Sequence, residues 1–354
     1  MRFGVQFFPD VKPEQKSAEQ YFRECLDLVE QAEPLGYEHI RIVEHYFHYY
    51  GGYSPNPMLF LAAAAQRTKK ARLITGAVLP VFNHPLKIAG EIGMLDAISG
   101  GRLDVGFARA FLPHEFRRFE RSPDESVARY REGIEQVKLL LEQENVSHEG
   151  KFHRFPTTTS LPRPTQQPRP KFYVAALTTV DSFAFAGSQG YSVMAIPMGG
   201  GKMPELLGAY REAWKSAGHP GEGEAMLAFH MFCHQDGDEA RRIARDPINA
   251  YFKSLVDGAS DWLEGMNSDD YPGYDKVIAK LQETNMEKQI ESGGAWIGSP
   301  IEIREIIARV REEYTDFEQA SLQVNFNMIG FEDAAASMEL FAREVMPHFT
   351  DAGA

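Results

Sequence analysis

The segment Glu44-His45-Tyr46-Phe47-His48 holds the most evident chemistry in the chain. An imidazole titrates near neutral pH and moves protons, so His45 is a candidate acid–base group. The same run admits a metal reading, with Glu44 and His48 as further ligands. Metal-dependent hydrolase barrels commonly add histidines late on the first strand, where this chain has phenylalanines, and nothing in the sequence links His230 or His234 to His45. A histidine that merely caps a loop is the plain structural alternative. Arg109 follows the apolar run 103–107, and a fixed fork of donors there suits a phosphate or carboxylate. A surface ion pair is its alternative. Thr178-Thr179-Val180-Asp181 matches a helix capping box, and helix starts also bind anions through free amides and the dipole. Asp181 opposes an anion placed too near. Arg109 and this helix start follow adjacent strands, so both can reach one phosphate. Cys25 reads as inert packing, and Cys233 lies near a strand end without a nucleophile signature. The aromatics Phe47, Tyr49, Tyr50 and Tyr53 either line a pocket mouth or pack their own loop.

These groups need elements to position them. Short apolar runs at 2–7, 39–43, 73–79, 103–107, 172–176, 192–196, 226–233 and 322–326 read as strands. Between them lie stretches of helical period. Phe22, Cys25, Leu26, Val29 and Ala32 share one face, as do Tyr130, Ile134, Val137 and Leu141. Helices are also expected over 58–68, 85–98, 182–189 and 335–346. Such alternation demands parallel strands with crossover helices, and so many units favour a closed (β/α)8 TIM barrel over an open sheet. The expectation is one α/β barrel domain over 1–354, with insertions after strands four and seven. Residues 147–170 are proline-rich and weakly periodic. Residues 256–275 are acidic and glycine-bearing, which suggests a mobile lid if they sit at the carboxyl end of the strands.

The 354 residues are 43% apolar and 25% charged, which excludes disorder and a disulfide scaffold. A net charge of -13 argues against a nucleic-acid surface. No apolar run approaches bilayer length and no secretory leader opens the chain, so a soluble, cytoplasmic protein is expected. Gly-x-Gly-x-x-Gly is absent, and Gly199-Gly200-Gly201-Lys202-Met203 fails the phosphate-loop pattern.

The order of motifs is nonetheless familiar. Glu44-His45-Tyr46-Phe47, followed by Tyr53-Ser54-Pro55-Asn56-Pro57, resembles the E-H-H-F loop of the bacterial luciferase-like flavin monooxygenases. Thr75-Gly76-Ala77-Val78-Leu79-Pro80, His84-Pro85, Leu95-Asp96-Ala97-Ile98-Ser99-Gly100-Gly101-Arg102-Leu103, Gly298-Ser299-Pro300 and the tail from Met338 to Pro347 match in order. The resemblance spans nearly the whole chain. It implies a barrel that takes reduced FMN (FMNH2) from a separate flavin reductase and uses O2 as co-substrate. One oxygen atom would enter a small organic substrate by way of a flavin C4a-hydroperoxide, in a homodimeric enzyme. On the matching positions, His45 is the catalytic proton-transfer residue and Arg109 the phosphate ligand. Thr179 and Ser182 contact the same phosphate, and Thr178, Ala108 and Ala176 fall within the cofactor set. The Thr75–Gly76 peptide falls where the family has a non-prolyl cis bond beneath the isoalloxazine, and a glycine there lets the ring approach. Three departures, Tyr46 for a second histidine, Ala108 for a reactive cysteine and Thr178 for a glutamate, disfavour light emission. Hydride transfer with the deazaflavin F420 and a non-enzymatic flavin-binding role are the alternatives.

Overall fold

The computed structural model describes residues 1–197, 201–314 and 317–350; Gly199 and Gly200 of the glycine run lie outside them. Its strands, in chain order, are β1 (Arg2–Phe7), β2 (His39–Ile42), β3 (Arg72–Val78), β4 (Leu103–Phe107), β5 (Val146–Glu149), β6 (Arg154–Thr158), β7 (Lys171–Ala176), β8 (Ser192–Ala195), β9 (Ala225–Cys233), β10 (Ala295–Gly298) and β11 (Gln319–Gln323). β1, β2, β3, β4, β7, β8, β9 and β11 pair in parallel, and β11 closes on β1 to complete an eight-stranded barrel. This is the expected (β/α)8 fold.

Both faces of each barrel strand are buried, so pleating sorts the side chains. On β1, Phe3, Val5 and Phe7 join the outer core beneath the helices, while Gly4 and Gln6 alternate with them. On β2, Ile40 and Ile42 belong to that outer core and alternate with His39 and Arg41. A smaller apolar cluster of Ile74, Tyr173, Met194 and Met226 fills the interior on the opposite wall. Helices such as Ala18–Ala32, capped by Ser17, and Pro85–Ser99, stopped by a left-handed Gly100, supply the outer layer. No helix among the described residues is long and apolar enough to cross a membrane.

One expected boundary needs correction, and two features are additional. The last barrel strand is Gln319–Gln323 rather than 322–326, because the polar Gln319, Ser321 and Gln323 occupy its inward positions and hide its start from an apolar count. β10 is an additional strand. It pairs only with the upper half of β9, from His230 to Cys233, and is too short to show a period. The 147–170 stretch is not structureless, since it contains the antiparallel β5–β6 hairpin. Its two ends lie apart: Gln166 bonds Asp96, Arg72 and the Leu103 carbonyl at the amino ends of β3 and β4, whereas the hairpin turn reaches back towards the carboxyl side, with the His153 ring against His84 and the Phe152 amide on Glu132.

Thr75 lies between β3 and β4. Its Oγ1 donates to the Gly106 carbonyl (3.0 Å) and accepts from the Gly106 amide (2.8 Å). It is fully buried. Thr75→Val keeps the volume and strands both Gly106 groups. Unfolding free energy should fall by about 1–3 kcal/mol in a urea titration. An unchanged unfolding free energy would mean that the two Gly106 groups find other partners in the variant.

Candidate active site

The carboxyl ends of the strands open into one cavity of about 540 Å3. That volume suits a cofactor-sized ligand. Most of its wall comes from the barrel rim. The remainder comes from the long insertion after β9, whose helix Gly237–Gly258 contributes Tyr251, Phe252 and Leu255, and whose helix Tyr274–Gln282 contributes Val277 and Ile278.

His45 lines this cavity and is buried. Its Nδ1 lies 3.1 Å from Oε1 of Glu115, which also accepts the Tyr46 amide at 2.8 Å. An acceptor carboxylate places the proton on Nδ1 and leaves Nε2 as the reactive nitrogen. Glu115 is fully buried, and its Oε2 has no hydrogen-bond partner in the protein. It lies on the helix Pro113–Arg118, a turn with no catalytic spacing to His45 in sequence, which is why sequence reading missed it.

Glu44 and His48 do not converge with His45. Glu44 accepts from the Tyr46 hydroxyl (2.6 Å), Asn83 Nδ2 (2.8 Å) and the Leu79 amide (3.4 Å). Burial pushes its carboxyl up to about 8, against the lowering effect of those hydrogen bonds. His48 accepts the Tyr50 amide and stacks on Tyr49. Of the four loop aromatics only Tyr50 lines the cavity, next to Phe8, while Phe47 is more than half exposed. Cys25 and Cys233 are buried outside the cavity wall, and burial pushes both thiols up to about 12.

Arg109, Thr178, Thr179, Ser182, Ala108 and Ala176 all line the same cavity, as the spacing along adjacent strands suggested. Among the described residues the Arg109 guanidinium has no ion pair to a carboxylate. Its Nη1 donates to the Asp270 carbonyl at 2.5 Å, and it lies 4.2 Å from the centre of the Tyr271 ring. The capping box is not formed. Thr179 is the N-cap of helix Val180–Ser188, but its hydroxyl pairs with Ser182 Oγ at 2.8 Å and caps no amide. The two hydroxyls satisfy each other and the Ser182 amide donates to the Thr179 carbonyl at 3.1 Å, which leaves the Val180 and Asp181 amides uncapped and available to an anion. Asp181 is turned to an ion pair with Arg131 at 2.6 Å, which offsets its charge beside the helix start.

The cis peptide is Gly76–Ala77, one bond beyond the expected Thr75–Gly76. Thr75 is still in register with Val105 and tied to Gly106; the ladder slips only between Thr75 and Val78. Gly76 lines the cavity and Thr75 does not. A Cβ at Gly76 would fall 2.1 Å from Arg41 Nε, so a side chain there would displace Arg41.

The luciferase-like monooxygenase family model matches residues 1–316. The chain belongs to the luciferase-like monooxygenase family. It is 32% identical to the oxygenase component of the flavin-dependent trigonelline monooxygenase of Acinetobacter baylyi, over 99% of this chain and 96% of that protein. Among solved structures, monooxygenase RslO1 from Streptomyces bottropensis superposes with a TM-score of 0.88 at 42% identity, covering 99% of this chain and 100% of that one. The oxygenating constituent of 3,6-diketocamphane monooxygenase from Pseudomonas putida, in complex with FMN, shares the fold at a TM-score of 0.83 and 23% identity, covering 99% of both chains. F420-dependent glucose-6-phosphate dehydrogenases also match in sequence over about half of the chain, and the F420-dependent tetrahydromethanopterin reductase of Methanopyrus kandleri shares the fold over 99% of it at a TM-score of 0.72 and 23% identity. This luciferase-like protein is a monooxygenase by these relationships.

The raised Glu44 carboxyl gives a pH test. Its folded value lies above the ordinary 4.5, so its stabilising contribution is present below that value and is lost as pH rises towards about 8. Glu44→Gln removes the titration. Thermal midpoints measured from pH 5 to 9 should show the variant gaining on wild type across that window; a constant difference would mean that Glu44 is ionised throughout.

Proposed function

We propose that this protein is the oxygenase component of a two-component monooxygenase that uses reduced FMN and O2 to oxygenate a small organic molecule. The observation that carries this reading is the conjunction of Arg109, free of any carboxylate, with an uncapped helix start and the Thr179 and Ser182 hydroxyls in one cavity that also holds His45. These groups fit a phosphate monoester: a cation, two hydroxyls and main-chain amides. The smooth approach at Gly76 fits a flat ring beside the β3 tip.

When bound, reduced flavin supplies two electrons to O2, so that one oxygen atom enters the substrate and the other leaves as water. The protein's part is different. Arg109 and the first turn of Val180–Ser188 hold the phosphate. Glu115 fixes the His45 ring, and Nε2 of His45 exchanges protons with the reacting groups. The segment 268–274 lies over Arg109: the Asp270 carbonyl accepts from it, and the Tyr271 hydroxyl donates to the Ala110 carbonyl at 2.8 Å. We propose that this stretch is the lid, which yields its Arg109 contact to the phosphate and then shields the site from water. A separate reductase as supplier of FMNH2, a homodimeric assembly and a cytoplasmic location belong to the same proposal.

Anaerobic titration with reduced FMN, followed by tryptophan fluorescence, tests the binding step. Arg109→Ala should raise the dissociation constant about tenfold to a hundredfold, the worth of a charge-assisted contact. An unmoved constant would put the phosphate elsewhere. His45→Ala should bind reduced FMN as wild type does but lose product in an assay coupled to a flavin reductase; unchanged turnover would remove His45 from the reaction. Reduction of F420 by substrate without O2 would support hydride transfer in place of oxygenation.

A further inference from the structure

The inward face of the barrel is divided. The β3–β7–β8 side is apolar, whereas β2, β1, β11 and β9 place Arg41, Gln6, Gln323 and His230 in one continuous row of register partners: Arg41 with Gln6, Gln6 with Gln323, Gln323 with His230. All four are buried, and Arg41, Gln6 and His230 line the cavity. The row lies below the rim. Arg41 lies within β2, whereas His45 follows the end of that strand, so Arg41 sits deeper in the barrel.

Arg41 is unlike the other arginines of the chain. Its Nη1 donates to Gln6 Oε1 at 2.5 Å and its Nη2 reaches the Gly76 carbonyl at 3.4 Å. Its Nε has no partner in the protein. No carboxylate acts on it: burial alone brings it down to about 10, opposed only by Tyr251, so it stays cationic at neutral pH. Beside it, Gln323 Nε2 and His230 Nε2 are also unpartnered. Burial pulls His230 down to about 3, so it is neutral and free to donate from one ring nitrogen. A buried cation is normally paired, and unpaired buried donors are rare. Here a cation and neighbouring donors are collected on one wall of a cavity, without an anion of the protein's own.

We propose that this row is an anion-binding floor, with Arg41 as the cation that takes a planar, delocalised oxyanion, a carboxylate or enolate, at the end of the cavity remote from the phosphate rim. The proposal rests on the flavin reading above and deepens it, because it assigns the oxygenated substrate to the class of organic acids or acidic ketones. With Nη1 kept on Gln6, a planar anion can take the Nε–Nη2 edge of the guanidinium in a bidentate way by displacing the long Nη2 contact to Gly76, an edge that an ammonium lacks. The same chemistry has a second source within the site, the anion carried by the pyrimidine edge of a reduced flavin ring. The test separates the two.

Benzoate and its neutral isostere benzamide are titrated against wild type, Arg41→Gln and Arg41→Lys, with oxidised FMN bound, by the change in the flavin's visible spectrum and by calorimetry. The substrate assignment predicts that wild type binds benzoate at least tenfold more tightly than benzamide, that Arg41→Gln abolishes the preference, and that Arg41→Lys retains part of it. In parallel, the ratio of reduced to oxidised FMN affinity is measured for the same proteins. A ratio that collapses in Arg41→Gln, with no benzoate preference in wild type, assigns the floor to the flavin's own anion and overturns the substrate assignment. A benzoate preference that survives Arg41→Gln overturns the proposal altogether, as does the absence of both preferences. Failure of the flavin reading shows separately, as loss of oxidised FMN binding in wild type; calorimetry of benzoate with the flavin-free protein then still decides whether the floor binds an anion. Circular dichroism on each variant verifies the fold, and Arg41→Lys keeps the test open if the glutamine variant does not fold.

Discussion

Everything in this protein depends on one constraint, the pleat of strands that are buried on both faces. In a closed parallel barrel each strand must give one set of alternate side chains to the helices and the other to a narrow interior. Phe3, Val5, Phe7, Ile40 and Ile42 satisfy the helices with ordinary apolar packing. The interior positions are thereby released for other residues, and this chain fills one side of them with polar ones. Arg41, Gln6, Gln323 and His230 would be costly in any core that did not open into a cavity.

The rim uses a different device. Its groups are held by contacts that satisfy them incompletely. Glu115 engages His45 and the Tyr46 amide through one oxygen and leaves the other without a partner. Thr179 and Ser182 bond to each other rather than to the helix amides. Arg109 makes do with a carbonyl and an aromatic face. Each arrangement leaves a strong donor or acceptor incompletely satisfied, at some expense to stability, and His45, Thr179, Ser182 and Arg109 all line the same cavity. Positive backbone dihedrals at Phe47 and Ala110 sit in the two loops that carry His45 and Arg109, a further sign that the rim is shaped for more than folding.

The insertion after β9 converts this rim into an enclosed site. Tyr251 and Phe252 cover His230, Tyr271 anchors the loop that follows β4, and Asp270 ties the Ser126 hydroxyl and the Val127 amide to the segment above Arg109. The strap is therefore joined to the phosphate-facing elements at several points. On the proposed reading, an anion at Arg109 would compete with a bond of that strap and so couple cofactor binding to the strap through a shared donor.

Much of this was legible in the chain itself. Strand and helix periods follow from local side-chain chemistry, so the alternating order, the barrel and the placing of His45, Arg109 and Thr179 at strand ends could be read directly. Motif order was enough to point to the family. The tertiary structure alone decided the partners. Glu115 reaches His45 from a segment 70 residues away. The Thr178–Asp181 capping motif gave way to a Thr179–Ser182 hydroxyl pair, the irregular peptide lies at Gly76–Ala77, one bond beyond the Thr75 that pairs with Gly106, and the proline-rich excursion spans from the amino ends of β3 and β4 to the His84 side of the barrel. The row from Arg41 to His230 joins four strands distant in sequence. Local propensity depends on neighbours along the chain, whereas hydrogen-bond partners, desolvation and register depend on neighbours in space, and only closure of the barrel creates those.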